Sequence, residues 1–67
     1  SDMAREWAHT DALMKRMKEA NPDASCTYFP AEGKYMTFLS HKPITNRFHE
    51  NKQEALIESI LILEEEG

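Results

Sequence analysis

The sequence predicts an α+β fold, in the order α-β-β-(β)-α, with two helices packed on one face of a small antiparallel sheet. Amphipathic segments with helical spacing stand near both ends of the 67-residue chain. Between them, residues 26–40 combine strand-forming side chains with a central turn signal. We expect one domain, residues 1–67, with Ser1 and Asp2 the remnant of a cleaved tag. Its core is small, because such a chain buries only about 60% of its unfolded surface.

The first helix is predicted over Met3 to Ala20, where apolar residues recur at spacings of three and four. One face collects Trp7, Leu13, Met14, Met17 and Ala20. The alternative is a shorter helix capped by Thr10 or Asp11, which leaves the preceding residues as an arm. The helix ends near Asn21, because Pro22 disfavours helical geometry at the residue before it.

Two strands are predicted next, Cys26 to Phe29 and Tyr35 to Leu39, joined by residues 30–33. Pro30 presets φ for the second position of a turn, and Gly33 is suited to the positive φ that closes such a loop. Side chains alternate along both strands, so both faces of the hairpin carry large apolar groups. Two helices cover one face, and we expect the other to be closed by a further element or offered to a partner.

The segment after the hairpin allows two interpretations. Residues 44–48 are either a loop or a short third strand at the edge of the sheet. Pro43 argues against a central strand at that point, because proline donates no ladder hydrogen bond.

The last helix is predicted from Asn51, which has capping-box spacing to Glu54. Its buried stripe is centred on Leu56, Ile60 and Leu63. Two residues, Ile57 and Leu61, are expected to flank the stripe. Ile62 falls outside it, on the side of the glutamates Glu54, Glu58 and Glu65.

Charge is concentrated at the end of the chain. The net charge is −4. Residues 1–48 carry seven Lys/Arg against six Asp/Glu, and residues 49–67 carry Lys52 against six glutamates. Three of these, Glu64, Glu65 and Glu66, lie at the negative end of the last helix dipole, where carboxylates are unfavourable. The pattern predicts affinity for a basic protein surface and makes nucleic acid an unexpected partner, although an acidic tail that only solubilises the chain is the alternative.

No pattern for catalysis, cofactor binding or metal binding is evident. Cys26, His41 and His49 lack the spacing of a zinc site, and we interpret them as a buried thiol and two surface imidazoles. Glu50, Glu54 and Glu58 are interpreted as the solvated side of the last helix. No apolar run approaches the length of a membrane span. A lone cysteine without a signal sequence indicates the cytoplasm.

The predicted function is therefore a small non-enzymatic interaction module, a regulator or inhibitor that binds a protein partner. The predicted contact residues are Glu64, Glu65, Glu66, Tyr35, Leu39 and Ile62. A homodimer is also expected, with Ile62 at the contact, or Tyr35 and Leu39 if Ile62 proves neutral. The alternative function is weak binding of single-stranded nucleic acid by the hairpin aromatics Tyr28, Phe29, Tyr35 and Phe38.

Overall fold

The computed structural model describes residues 9–66, and they form the α+β fold that the sequence predicts. The elements are α1 (Thr10–Ala20), β1 (Ala24–Phe29), β2 (Lys34–Leu39), β3 (Lys42–Pro43) and α2 (Lys52–Glu66). The three strands form one antiparallel sheet in the order β1-β2-β3. Residues 3–8 of the predicted first helix, with Trp7, lie outside the described residues.

The core lies between the two helices and one face of the sheet. Its buried members are Leu13 and Met17 of α1, Ala24 of β1, and Leu56, Ile60 and Leu63 of α2. The predicted centre of the last-helix stripe is thus confirmed. Two other expectations are wrong: Ala20, assigned to the apolar face of the first helix, is exposed, and Leu61, expected to flank the stripe of the last helix, is 52% exposed. Leu61 is one residue past Ile60, about 100° around the helix, which turns it away from a narrow stripe.

The hairpin turn closes as predicted. The carbonyl of Phe29 accepts hydrogen bonds from the N–H groups of Glu32, at 3.1 Å, and Gly33, at 2.8 Å. Pro30 is therefore the second residue of a β-turn. Gly33 has φ of 66°, in the left-handed region that glycine enters without steric cost. The register pairs Tyr28 with Tyr35.

A third strand exists, but it lies before residues 44–48, which form the loop that is the other interpretation of that segment. It is Lys42–Pro43, paired with the end of β2. Ser40, at φ 58°, lets the chain reverse directly after Leu39. The N–H of Ile44 donates to the carbonyl of Thr37 at 2.9 Å, so the proline nitrogen one residue earlier faces outward. An edge strand tolerates proline there because no ladder bond is lost.

The two helix starts differ in their capping. The side-chain oxygen of Asn51 accepts a hydrogen bond from the N–H of Glu54 at 2.8 Å, which confirms the predicted cap of α2. In α1, Thr10 is already helical, and His9 precedes it without a side-chain capping bond. Neither Thr10 nor Asp11 is therefore the cap.

A buried pair of hydroxyl groups joins the sheet to α2. The Ser59 hydroxyl donates to the carbonyl of Ala55 at 2.7 Å, in the preceding turn of the helix. The hydroxyl of Thr37 on β2 contacts the same Ser59 oxygen. Because the Ser59 proton is already used, Thr37 is the donor in that contact. Both residues are fully buried.

This direction of donation predicts unequal effects for two substitutions. Ser59→Ala leaves the Thr37 donor buried without an acceptor, and we expect a loss of about 1–3 kcal/mol in unfolding free energy. Thr37→Val leaves the Ser59 bond to Ala55 intact and should cost clearly less. The double variant should be close to Thr37→Val alone. Urea denaturation of the three variants checks this. Equal losses of unfolding free energy in the two single variants, which add up in the double variant, would contradict the assignment of Thr37 as the donor.

Candidate partner-binding site

A cleft opens between the β2–β3 end of the sheet and the last turns of α2. We call it the C-terminal cleft, and its volume is about 210 Å³. Five apolar residues and two charged ones line it: Leu39, Pro43, Ile44, Ile62, Leu63, Lys42 and Glu66. The β2–β3 turn brings Lys42 and Pro43 back beside the C-terminal end of α2, which creates an apolar floor next to acidic residues.

Three of the six predicted contact residues meet at this cleft. Leu39 comes from the end of β2, and Ile62 and Glu66 come from α2. Both Leu39 and Ile62 are half-buried. Of the remaining glutamates, Glu65 is exposed one residue from the cleft, and Glu64 points toward α1.

The carboxylates at the end of α2 are in different environments. The side chain of Glu64 accepts a hydrogen bond from Nε of Arg16 at 3.2 Å, which ties α2 to α1. No ion pair involves Glu65 or Glu66 within residues 9–66. The last turn of α2 also contains no basic residue. The negative end of the helix dipole therefore adds to the charge of two carboxylates that form no described ion pair.

The sixth predicted residue, Tyr35, lies away from the C-terminal cleft. It is at the opposite end of β2, where its backbone exchanges two hydrogen bonds with His49, at 2.9 and 2.7 Å. Its ring packs against that of Tyr28, with centroids 5.0 Å apart. The structure therefore places Tyr35 in a different surface from Leu39 and Ile62.

A second polar cluster forms where the loop after β3 meets α2. Nε2 of His49 donates to the carboxylate of Glu58 at 2.8 Å. The guanidinium of Arg47 donates to the same oxygen. The hydrogen bond from Arg47, followed by that from His49, lowers the pKa of the Glu58 carboxyl below its ordinary value.

Burial differs within this cluster, since the His49 side chain is buried whereas those of Glu58 and Arg47 are 38% and 62% exposed. His49 is only 3% exposed, so its interpretation as a surface imidazole is wrong. Its backbone bridge to Tyr35 draws the ring beneath Glu58. Within the described part of the chain, Nδ1 of His49 is buried without a hydrogen-bond partner. The hydrogen bond between His49 and Glu58 joins the loop after β3 to α2.

The residues considered for zinc are dispersed. No group of three His, Cys, Asp or Glu side chains with metal-binding geometry occurs among residues 9–66. Cys26 is half-buried, and burial raises the pKa of its thiol, although the charge of Lys52 opposes this. A raised pKa keeps the thiol protonated and unreactive at neutral pH. His41 lies exposed in the β2–β3 turn.

Sequence reasoning missed the residues that complete the C-terminal cleft. Lys42 and Pro43 form the third strand and Ile44 follows it, whereas the possible strand considered from sequence began only at Ile44. The available signal was Pro43 itself, because an edge strand is the one sheet position that accepts proline. With the strand placed there, the apolar Ile44 falls beside the last turns of α2.

Comparisons with other proteins add no family to this description. No protein-family model, no curated protein and no solved structure matches this chain. Neither of the two helices described in residues 9–66 is long and apolar enough to cross a membrane.

Proposed function

We propose that this protein is a non-enzymatic interaction module that binds a partner protein through the C-terminal cleft and the acidic end of α2. It acts in the cytoplasm as a regulator or inhibitor by occupying a basic surface of that partner. The observation that carries the proposal is the position of Glu65 and Glu66, which form no ion pair within the described residues, beside an apolar cleft that Lys42 also lines. Glu66 itself lines that cleft.

The charge arrangement supports a partner with lysine or arginine residues. Carboxylates at the C-terminal end of a helix reduce stability by about 0.3–1 kcal/mol each. A cationic partner turns the same arrangement into a favourable one and speeds the encounter. A tail that only solubilises the chain needs no apolar cleft next to it.

The cleft supports a side chain as its occupant. Its volume of about 210 Å³ is below the range of roughly 300–1,000 Å³ typical of small-molecule sites. Its floor is formed by Leu39, Ile44 and Ile62. A partner segment with an apolar residue next to a basic one fits both parts of the surface.

The structure supports nucleic-acid binding less well than the sequence does. Two of the cations near the hairpin are neutralised, since Lys34 pairs with Glu50 at 3.4 Å and Arg47 pairs with Glu58. The four aromatics are also split between the two faces of the sheet. A stacking platform needs aromatic rings and free cations on one surface.

The test begins with affinity capture from the source cell and mass-spectrometric identification of the partner. Association with that partner is then measured for the wild type and for Glu65→Gln/Glu66→Gln at low and moderate salt. We expect the double variant to associate several-fold more slowly at low salt. The difference should shrink at moderate salt, because ions screen exposed charges. Glu64 is left unchanged because it pairs with Arg16.

A matched control is Glu32→Gln/Glu54→Gln, which changes the net charge equally. Both residues are exposed. Glu54 lies 11 residues before Glu65 on α2, about 16 Å along the helix axis. Glu32 lies in the turn at the far end of β2. Equal losses in the two double variants would mean that only net charge matters, and would contradict the proposed site.

A further inference from the structure

One edge of the sheet presents backbone groups that the described chain leaves unpaired. Tyr35 bonds to His49, and the Thr37 carbonyl accepts from Ile44, so both residues direct their backbone groups away from β1. Their partners across the β1–β2 ladder are Tyr28 and Cys26. In an antiparallel ladder, the residues of such a pair both face away from each other. The N–H and C=O groups of Cys26 and Tyr28 therefore point out of the free edge of β1.

The two edges of the sheet are protected very differently. The β3 edge is two residues long and contains Lys42 and Pro43, which are features that block strand addition. The β1 edge is six residues long, Ala24–Phe29, and contains neither charge nor proline. Proteins that stay monomeric usually blunt such an edge, and this one is left open in the part of the chain described.

We propose that β1 pairs antiparallel with β1 of a second copy of this chain, so that two three-stranded sheets join into one of six strands. The outward groups fit a two-fold axis at Cys26. Cys26 then faces its own counterpart, and the carbonyl of Ala24 faces the N–H of Tyr28 of the second copy, since the Ala24 N–H already donates to the carbonyl of Asn21 at 3.1 Å. The ring of Tyr28 is 50% exposed in the single chain and is available for contact with the second copy, whereas the Ala24 side chain is buried in the core.

Charge favours a second copy at this edge. A symmetric pair brings each residue near its own equivalent, so charged residues on β1 would repel. The strand carries none, and the acidic end of α2 lies beside β3 at the opposite edge. The pairing therefore keeps the two acidic helix ends apart and leaves both C-terminal clefts open.

The pairing also extends the face of the sheet that the helices leave uncovered. This open face carries Phe29 and Phe38, whose ring centroids are 6.3 Å apart. Phe48 from the loop after β3 packs edge-on against Phe29 and remains 39% exposed. Because a single strand pair is smaller than a standard interface of about 1,600 Å², we expect a dimer that dissociates on dilution through the micromolar range.

The test compares Tyr28→Pro with Ile62→Glu by sedimentation equilibrium. Protein concentrations from about 1 μM to about 1 mM bracket the expected dissociation constant of the dimer. Proline at position 28 removes an outward N–H that the β1–β2 ladder does not use, so the single chain keeps the backbone hydrogen bonds between β1 and β2. We expect the wild type and Ile62→Glu to dimerise, and Tyr28→Pro to remain monomeric with an unchanged circular dichroism spectrum. If the proline variant fails to fold, Thr27→Lys replaces it. The side chain at position 27 is exposed on the open face, so the variant should fold. The charge that it places on β1 should repel its equivalent in the second copy and keep the chain monomeric.

Amide hydrogen exchange gives an independent readout of the wild type. The amides of Cys26 and Tyr28 should become protected as concentration rises, while those of Ser25 and Thr27, which face β2, should be protected throughout. A dimer with this interface should form at a protein concentration of about 1 mM. A wild type that stays monomeric at that concentration would overturn the proposal. A folded Tyr28→Pro variant that still dimerises would do the same, as would a dimer broken by Ile62→Glu alone.

Discussion

Ile60→Ala is expected to leave the protein largely unfolded at physiological temperature. Ile60 is fully buried at the centre of the core, between Leu56 and Leu63 on the same helix. Truncating a buried isoleucine to alanine costs about 2–5 kcal/mol, through lost burial and the cavity left behind. A domain of this size has no more than about 3–5 kcal/mol of total stability. The expected loss is therefore comparable to the whole free energy of unfolding of the protein.

The matched control is Leu61→Ala on the adjacent position. Leu61 is 52% exposed, so its truncation should change the unfolding free energy by less than about 0.5 kcal/mol. Thermal melts followed by circular dichroism compare the two variants. An unchanged midpoint for Ile60→Ala, or equal losses in the two variants, would show that α2 presents a different face to the sheet.

Glu58→Ala is expected to have the second largest effect on stability. It removes the acceptor of the His49 Nε2–H bond and the anion that pairs with Arg47. His49 cannot compensate by changing tautomer, because Nδ1 has no described partner either. A buried N–H without an acceptor costs about 1–3 kcal/mol. Glu58→Gln keeps an acceptor oxygen and should lose less, which urea denaturation of both variants at pH 7 would check.

The same cluster predicts a pH dependence of stability. The pKa of Glu58 is lower in the folded chain than its ordinary value of 4.5, chiefly because Arg47 hydrogen-bonds its carboxylate. A lowered folded pKa means that the stabilisation is complete above the ordinary pKa and is lost as pH falls through the lowered one. Glu58→Gln should therefore show a shallower loss of stability below pH 4.5 than the wild type. Identical acid limbs would contradict this assignment.

Local signals allowed most of the fold to be predicted, because each acts over a few residues. Gly33 and Asn51 behave as their chemistry indicates, in a turn and at a helix cap. The strand at Lys42–Pro43 was not predicted, because the chain reverses at Ser40 in a left-handed conformation that serine seldom takes and that nothing in the local sequence marks.

The candidate site was only partly predictable, because its geometry depends on contacts between distant segments. Ile62 was predicted as a contact residue because it lies outside the buried stripe of the last helix, and Leu39 because the hairpin is apolar on both faces. The structure brings these two residues into one cleft. Their meeting requires the β2–β3 turn to bring Pro43 beside α2, which no periodicity reveals. The burial of His49 also depends on a contact between distant segments, since it follows from a backbone bridge to Tyr35 fourteen positions earlier.

The most direct test of the proposed function is an NMR titration of the isotope-labelled protein with the captured partner. We predict that the largest amide shift changes occur at Leu39, Ile44, Ile62 and Glu66, around the C-terminal cleft. Amides of the open face, at Thr27, Met36 and Phe38, should change little. Shift changes confined to the open face, with the cleft amides unmoved, would contradict the claim that this protein binds its partner through the acidic end of α2.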